Sequence, residues 1–470
     1  MRYAWLVIAI FAARFASTAI AYPAGDGDLA WQRWLGATIL HAHAIPRALG
    51  SETFSAPGAA WVPQEWAFSL AADAARSGLA WYLFAGGVAL AAVAALAISA
   101  RHAEARGASP RAVALCTAFA GFALFESFGV RAQVLAWPLV AAFIWALEWE
   151  SPWCYAAWPL AALWSNLHAS AMLAPVLAGI ATGGALLEER GFGPRSRRYA
   201  ALTGGALVAI CCNPFGWHLP AYALSLFGNP IKNYISEWKV TDLDDLSFAF
   251  GALPLLLIGT IYGVRRAGRW SELLILGAFT FLLLSAARNV GLFGLVALPL
   301  VAPALSRSVG FFAAPAPGPP TRADRMAAFG LPAVALGLAA VVAVELVRTA
   351  PPPTGLANAP LAALAALPGE HRVLCADFAW CGLAVGEPRV RVFLDGRADP
   401  YPPAVWSDFA QIVRVAGDWR EILARRDVDA VVVKTGASLD QALALERGWR
   451  AAYADKTYRL WLRSGTRGRG

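Results

Sequence analysis

The stretch that determines the fold class is residues 271–305, which read SELLILGAFTFLLLSAARNVGLFGLVALPLVAPAL. It contains two apolar runs, 271–287 and 289–305, that meet at Arg288. A helix needs about 20 predominantly apolar residues to cross the hydrocarbon core of a bilayer, so each run is close to one span. Two such runs joined by a short polar turn predict a pair of membrane-spanning helices.

The same pattern recurs along the first 350 residues. Further apolar runs lie at 4–21, 79–100, 111–130, 132–147, 153–168, 169–187, 200–212, 247–264 and 329–347. The runs at 132–147, 153–168 and 200–212 are shorter than a straight span requires, so these helices would be tilted or would enter the membrane without crossing it. We therefore predict a multi-span α-helical membrane protein with about 11 transmembrane helices.

Composition supports this prediction. Hydrophobic residues make up 58% of the 470 residues, charged residues make up 15%, and the mean hydropathy is +0.52. Soluble domains contain about 45–50% apolar and 25% charged residues, so much of the apolar surface here must face lipid. The net charge of +8 comes from arginines in short loops between apolar runs, which indicates a topological signal and argues against nucleic-acid binding.

Loop charge predicts the orientation. One set of connections is rich in arginine: Arg2, Arg101, Arg106, Arg111, Arg190, Arg195, Arg197, Arg198, Arg265, Arg266, Arg269, Arg307, Arg322 and Arg325. The alternate connections are longer and carry few basic residues. Cytoplasmic loops are enriched in Lys and Arg, so the first set is predicted to be cytoplasmic and residues 22–78, 213–246 and 351–470 to be extracytoplasmic. The first run also resembles a secretory signal, but Arg14 interrupts it, and we predict a retained helix in the cytoplasmic (inner) membrane.

The C-terminal 351–470 segment is predicted to be a small soluble α/β domain. Three prolines at 351–353 end the last apolar helix. Short apolar stretches at 372–376, 390–394, 430–434 and 458–462 predict strands, and they alternate with helical periodicity at 403–415, 419–425 and 439–446. No phosphate-binding glycine motif occurs in this segment. Cys375 and Cys381 would lie in an oxidising compartment, where a disulfide between them is plausible.

Polar residues in the predicted outer loops and at the outer ends of the spans form the candidate site. The loop 22–78 contains two predicted interfacial helices, 29–43 and 64–76, with tryptophans at the water boundary. A polar side chain at membrane depth is a site candidate by default. The candidates are Asp26, Asp28, Glu65, Arg131, Gln133, Asn166, His168, Glu237 and Arg288.

The order of these polar motifs resembles a known superfamily. The motifs are Asp26-Gly27-Asp28, Ile45-Pro46-Arg47, Glu65-Trp66, Arg131-Ala132-Gln133, Asn166-Leu167-His168, Asn213-Pro214, Glu237-Trp238, Arg288-Asn289 and Asp395-Gly396-Arg397. Their succession is similar to that of the GT-C membrane glycosyltransferases, and especially of bacterial members that end in an extracytoplasmic α/β domain. The resemblance covers essentially the whole chain. It implies transfer of a sugar from a polyprenyl-phosphate donor to a glycan, lipid or protein acceptor in the cell envelope, with inversion of the anomeric centre.

The chemistry of such a transfer assigns roles to the candidates. A carboxylate must take the proton of the acceptor, and cations must hold the departing phosphate. Asp28, or Asp26, would be the base, and Glu65 is a further catalytic candidate. Alternatively, Asp26 and Asp28 would bind a divalent cation such as Mg²⁺ or Mn²⁺. Arg131 and Arg288 would clamp the phosphate, because a guanidinium matches phosphate oxygens and stays protonated.

Each candidate also has a structural interpretation. Asp26 and Asp28 would cap the interfacial helix, and Glu65 would be a solvated charge at a helix start. Arg131 would pair with Glu126, Arg288 would extend to the interface, and His168 would be a packing residue. Gln133, Asn166 and Glu237 complete the candidate substrate-binding set.

Two departures favour a second class of function. Gln32 and Gln64 stand where comparable GT-C proteins tend to have histidine, so a non-catalytic scaffold on the same architecture is an alternative. A transporter of lipid or sugar is a third class; it would be favoured by inverted repeats with paired broken helices, and we find no convincing repeat.

The arginine asymmetry makes the topology testable. We expect a reporter enzyme that is active only outside the cytoplasm to be active when it is fused after Arg469 and silent when it is fused at Arg195, because basic loops stay inside. Activity measured in intact cells distinguishes the two. The opposite pair of results would overturn both the orientation and the outer location of the candidate site.

Overall fold

The computed structural model describes residues 2–22, 26–226, 231, 234–263, 269–313, 322, 326, 337 and 358–465. In chain order, the α-helices are α1 (Arg2–Ile20), α2 (Gly27–Ala42), α3 (Trp66–Ala74), α4 (Gly78–Ala105), α5 (Pro110–Phe125), α6 (Ala132–Leu147), α7 (Ala157–Ser165), α8 (Leu173–Glu189), α9 (Pro194–Ala209), α10 (His218–Ser225), α11 (Leu253–Ile258), α12 (Trp270–Ser285), α13 (Val290–Ser308), α14 (Asn358–Ala365), α15 (Pro403–Val413), α16 (Trp419–Arg425) and α17 (Ser438–Ala444). The strands are β1 (His371–Cys375), β2 (Val390–Val392), β3 (Ala430–Lys434), β4 (Trp449–Ala454) and β5 (Tyr458–Arg463).

Most described residues of the predicted apolar runs are helical; the run 111–130 is helical only to Phe125, and the run 200–212 only to Ala209. Among the described residues, four helices are long and apolar enough to cross a membrane: Tyr3–Ile20, Gly78–Ala105, Ala169–Glu189 and Ala287–Ser308. Shorter apolar helices occupy Pro110–Phe125, Ala132–Leu147, Phe248–Ile261 and Trp270–Ser285. The predicted run 329–347 lies outside the described residues, residue 337 apart, as do the prolines at 351–353. The number of spans, about 11, remains a prediction.

The contacts divide the chain into two compact units. One comprises residues 1–21, 82–225 and 235–349, and the other comprises 22–81, 226–234 and 350–470. We call them the helical unit and the sheet unit. The predicted outer loop 22–78 and the predicted α/β segment 351–470 thus belong to one compact unit.

In the helical unit, α5 packs closely against its neighbours because small residues line it. A Cβ added at Gly294 of α13 would lie 2.7 Å from the Cβ of Ala123, and one added at Gly121 would overlap the ring of Phe11 in α1. Hydrophobic burial does not drive helix association in lipid, so close backbone approach at small residues supplies the packing.

The sheet unit is built on a five-stranded sheet with the order β2-β1-β3-β5-β4. Strands β1, β2 and β3 are parallel, whereas β5 is antiparallel to both β3 and β4. The four predicted strands and three predicted helices of this segment are confirmed, with ends shifted by no more than two residues. Strand β4 was not predicted, because this edge strand is mostly exposed and shows no alternation of buried and exposed residues.

The loop 22–78 is joined to the sheet by backbone hydrogen bonds. The amide of Val392 in β2 donates to the carbonyl oxygen of Glu52 (2.9 Å), and the amide of Phe54 donates to the carbonyl oxygen of Val392 (3.2 Å). Thr53 pairs with Val392 as an isolated parallel bridge. The segment around Thr53 therefore covers the β2 edge of the sheet, which would otherwise present unpaired backbone groups.

A buried charge cluster joins the same two segments. Arg397 is 2% exposed and donates to Asp395 (Nη2–Oδ2, 2.6 Å) and to Glu52 (Nη1–Oε1, 2.7 Å). Tyr401 donates its hydroxyl proton to Asp395 (2.7 Å). The Arg397 guanidinium also lies 5.2 Å and 5.0 Å from the ring centroids of Trp34 and Trp61, within cation–π distance.

The pKa of Arg397 shows how these neighbours act. Burial by itself lowers the pKa of Arg397, but the Asp395 and Glu52 carboxylates outweigh it and hold that pKa well above the ordinary value. Burial and the Asp395 charge raise the pKa of Tyr401. Arg397 therefore stays charged and Tyr401 stays neutral at any physiological pH.

We expect Arg397→Ala to destabilise the full chain in detergent by about 3–5 kcal/mol, because it leaves the buried Asp395 carboxylate without its cation. Arg420→Ala is the matched control: its partner Glu446 lies at 2.7 Å, but the Arg420 side chain is 64% exposed, and such pairs contribute about 0–1 kcal/mol. Thermal unfolding of both variants measures the difference. Equal midpoints would show that the Arg397 cluster does not hold the unit together.

Candidate functional site

Asp26 caps the start of α2. Its side chain accepts a hydrogen bond from the Leu29 amide (2.8 Å) and one from the Tyr22 hydroxyl (3.2 Å). Aspartate is a favoured N-cap because it satisfies an amide that has no partner within the helix. The capping interpretation of Asp26 is confirmed by this geometry, and a chemical role for its carboxylate stays a prediction.

Asp28 lies in the first turn of α2 and is half-buried. The indole of Trp31, three residues on, donates to its Oδ1 at 3.4 Å. A Cβ added at Gly396 would overlap the same oxygen, so the backbone of the Asp395–Arg397 turn lies directly against Asp28. The Asp28 side chain is thus contacted by Trp31 of its own helix and by the backbone at Gly396.

Glu65 is held by the two glutamines that depart from the GT-C pattern. Gln32 Nε2 donates to Glu65 Oε2, and Gln64 Nε2 donates to Oε1 at 3.4 Å. The Ser69 hydroxyl in turn donates to Gln32 Oε1. Glu65 makes no side-chain capping bond to α3, which begins at the next residue. The carboxylate is therefore the centre of a neutral amide network rather than a cap.

The two arginines proposed as a phosphate clamp meet at one carboxylate in the helical unit. Glu237 Oε2 lies 3.6 Å from Arg131 Nη1, and Glu237 Oε1 lies 3.8 Å from Arg288 Nη1. Each guanidinium therefore faces a different oxygen of one carboxylate. Arg288 also lies 4.6 Å from the ring centroid of Trp238.

The backbone places both arginines at helix starts. Arg131 is the residue before α6, and Arg288 lies in the 3₁₀ turn Ala287–Asn289 that precedes α13. The N-terminus of a helix is electropositive, so a cation there is unfavourable unless an anion accompanies it. Glu237 supplies that anion for both arginines, and their role as a phosphate clamp stays a prediction.

The remaining candidates hydrogen-bond to backbone and side-chain groups of neighbouring loops and helix ends. Gln133 donates to the Ser127 carbonyl oxygen (3.2 Å), and Asn166 donates to those of Ala162 and Cys212 (both 2.8 Å). Buried His168 has its Nδ1 2.8 Å from the Ser170 hydroxyl and accepts from the Ser170 amide. These contacts fit loop-supporting roles, and for His168 they match the packing interpretation.

The structure therefore brings the candidates together as two groups. Asp26, Asp28 and Glu65 belong to the sheet unit, and the other six candidates belong to the helical unit. Their convergence on one cavity stays a prediction. Within the described residues, no group of three or more His, Cys, Asp or Glu side chains forms a metal cluster, and a cation held by Asp26 and Asp28 also stays a prediction.

Two supporting residues were missed in the sequence analysis. Tyr22 donates to Asp26, and Ser69 supports Glu65 through Gln32 and donates to its carbonyl oxygen (3.2 Å). Each is four residues from the carboxylate it serves. Within a helix that spacing places two residues on one face, and for Glu65 and Ser69 it was a usable signal.

Comparison with solved structures identifies the fold. The chain is similar to the archaeal oligosaccharyltransferase AglB from Archaeoglobus fulgidus in complex with an inhibitory peptide and a dolichol-phosphate: the TM-score is 0.54 and the identity 12%, over 98% of this chain and 74% of that one. The same enzyme with Zn and sulfate gives a TM-score of 0.52 and 13% identity, over 97% and 73% of the two chains.

For ArnT from Cupriavidus metallidurans, bound to undecaprenyl phosphate, the TM-score is 0.48 and the sequence identity is 15%, over 98% of each chain. No protein-family model matches the sequence, and no curated protein is significantly similar to it. The two AglB comparisons carry the assignment, since both lie above a TM-score of 0.5 and span nearly the whole chain. The chain therefore has the fold of an archaeal oligosaccharyltransferase.

Proposed function

We propose that this protein transfers a sugar from a polyprenyl-phosphate-linked donor to an acceptor at the extracytoplasmic face of the cytoplasmic membrane. The observation that carries the proposal is the pair Arg131 and Arg288, each at a helix start, with one carboxylate between them. In AglB, which has the same fold, the solved complex contains dolichol-phosphate, so a lipid phosphate is the natural occupant of such a clamp.

Glu237 stands in for the phosphate on this proposal. Its carboxylate is an anion with two oxygens, one directed to each guanidinium, and both arginines and Glu237 are 24–38% exposed. A phosphate presents more oxygens and more charge than a carboxylate, and arginine binds it through paired hydrogen bonds. The arriving donor phosphate would therefore displace Glu237 from the arginines.

The transfer step then needs one base. The acceptor hydroxyl oxygen forms a bond to the anomeric carbon of the donor sugar, and the bond from that carbon to the phosphate oxygen breaks. The acceptor proton passes to Asp28, while the arginines stabilise the phosphate that leaves with the lipid. A single displacement of this kind inverts the anomeric centre. Asp28 is preferred to Asp26, since the Asp26 carboxylate caps the start of α2.

The proposal includes a location and a division of labour. The arginine-poor loop 22–78 and the segment 351–470 would both lie outside the cytoplasm. Asp28, the candidate base, lies in the loop 22–78, and the arginines proposed to bind the lipid phosphate lie in the helical unit. A polyprenyl donor cannot leave the bilayer, so its phosphate has to be met at headgroup level.

A non-catalytic scaffold is the second candidate, and one observation favours it. Gln32 and Gln64, the two residues that replace expected histidines, both donate to Glu65. An imidazole could carry a proton or charge at these positions, whereas an amide can only hydrogen-bond. If Glu65 needed such a partner for turnover, this chain would bind the donor without transferring its sugar.

We expect Arg131→Gln and Arg288→Gln each to weaken binding of a polyprenyl phosphate to the full chain in lipid nanodiscs by about tenfold or more, since each removes a charged hydrogen-bond donor. Glu237→Gln should strengthen binding, because the competing anion is gone. Retention of undecaprenyl phosphate in native mass spectrometry measures all three. Arg307→Gln, at an exposed arginine in the last turn of α13, is the control. Binding unchanged by both clamp variants would refute the clamp.

We expect Asp28→Asn to abolish sugar release from a polyprenyl-phosphate-linked donor while leaving donor binding within about twofold, because the amide keeps the volume but cannot take a proton. Asp26→Ser is the matched variant, since serine keeps the N-cap and removes the carboxylate. Turnover with native membranes as the acceptor source is the measurement. Normal turnover of Asp28→Asn would remove Asp28 from the role; loss in Asp26→Ser alone would transfer the role to Asp26.

A further inference from the structure

The sheet unit has a second place where a ligand is expected. Strand β1 lies between β2 and β3, and all three strands are parallel. The connection after β1 leads to its neighbour on one side, β2, and the connection after β2 leads to the neighbour on the other side, β3. In open α/β sheets, ligands bind outside the carboxyl ends of the strands at such a switch point, here between β1 and β3.

Four side chains from three elements meet at this edge. Asp377 follows β1 by two residues, Lys434 ends β3, and Tyr458, which begins β5, is the strand partner of Lys434. Trp380 lies in the 3₁₀ segment Phe378–Ala384. We call Asp377, Trp380, Lys434 and Tyr458 the switch-point cluster.

The cluster combines rings with opposite charges. The ammonium of Lys434 lies 5.5 Å from the Trp380 ring centroid, and the Trp380 and Tyr458 centroids are 4.5 Å apart at 83°. Lys434 is exposed, Trp380 and Asp377 are half-buried, and Tyr458 is buried. Burial raises the pKa of Asp377, against the opposing effects of the Ala379 amide and Lys434. The carboxylate is thus partly desolvated.

The segment that carries Asp377 and Trp380 is fixed at both ends. A disulfide joins Cys375, the last residue of β1, to Cys381. The same segment packs on the start of α2: a Cβ at Gly27 would overlap the Ala379 carbonyl oxygen, and one at Gly382 would overlap that of Gly27. The backbone on either side of Trp380 is therefore in direct contact with the backbone of the Asp26–Asp28 turn.

This combination suits a saccharide. A flat aromatic ring packs against the apolar face of a sugar, a carboxylate accepts from its hydroxyl groups, and an ammonium donates to ring or hydroxyl oxygens. A held backbone lowers the entropy lost on binding. The Arg397 cluster and the hydrogen bonds at the β2 edge, which join the loop 22–78 to the sheet, do not involve these four residues.

We propose that the switch-point cluster is a saccharide-binding site that holds the acceptor glycan, with Trp380 as the stacking ring and Asp377 and Lys434 as the polar contacts. The role as acceptor site rests on the proposed glycosyltransferase function. The binding of a saccharide to the cluster does not depend on that function. On this proposal the acceptor is a glycan rather than a lipid or a protein, and it is held by the same segment that packs on the Asp26–Asp28 turn.

The test uses the full chain in nanodiscs on an array of oligosaccharides built from hexose, N-acetylhexosamine and uronic acid units. We expect the wild type to retain a subset of them, and Trp380→Leu and Asp377→Asn each to weaken that binding at least tenfold. Trp449→Leu, at a half-buried tryptophan on edge strand β4, is the matched control and should bind normally. Asp377→Asn and Lys434→Met preserve the aromatic packing, so they keep the test valid if Trp380→Leu does not fold.

The outcomes separate this site from the proposed activity. Saccharide binding that persists in Arg131→Gln and Arg288→Gln, without any lipid-phosphate binding by the wild type, would leave the cluster as a glycan site and refute the glycosyltransferase. Lipid-phosphate binding by a wild type that retains no saccharide would overturn the cluster proposal alone. Equal saccharide binding by wild type, Trp380→Leu and Asp377→Asn would place the glycan elsewhere and overturn it as well.

Discussion

The sheet unit depends on the charge buried at Arg397. Its guanidinium is satisfied only when Asp395, in the same turn, and Glu52, 345 residues earlier in the chain, are both in place. An unpaired buried charge costs several kcal/mol, so the loop 22–78 and the C-terminal segment are constrained to one relative arrangement. The hydrogen bonds between Val392 and residues 52–54 then extend the sheet over the same junction.

This junction determines where the candidate base lies. Gly396 follows Asp395 directly and leaves room for Asp28, and Gly27 leaves room for the Ala379 carbonyl group. Both glycines are required because two backbones approach more closely than a Cβ permits. The position of Asp28 is therefore set by the turn that holds Arg397, not by α2 alone. The first loop and the C-terminal segment, which the sequence suggests are separate, act as one support for the carboxylates.

In the helical unit, the main electrostatic feature is the pair of arginines beside Glu237. It presents two arginines at the positive ends of two helices, where their charges are unfavourable without an anion, and Glu237 supplies one. An arrangement that is costly in itself and relieved by an anion is typical of a binding site. Gln133, Asn166 and His168, by contrast, make the hydrogen bonds expected of residues that shape the surrounding loops.

Much of the architecture followed from the sequence because it depends on local patterns. Apolar length determined the helices, short apolar stretches between helical periodicities determined β1, β2, β3 and β5, and an oxidising location made the Cys375–Cys381 disulfide plausible. The polar residues worth considering were also visible, since charges are rare among apolar runs. What only the tertiary structure decided was their pairing: Glu237 between Arg131 and Arg288, two glutamines on Glu65, and the loop 22–78 joined to the C-terminal sheet. Hydrophobic periodicity reports what a residue's own helix or strand does. Most of these pairings, by contrast, join residues tens to hundreds of positions apart in the chain, and they form only when the tertiary structure brings those residues together.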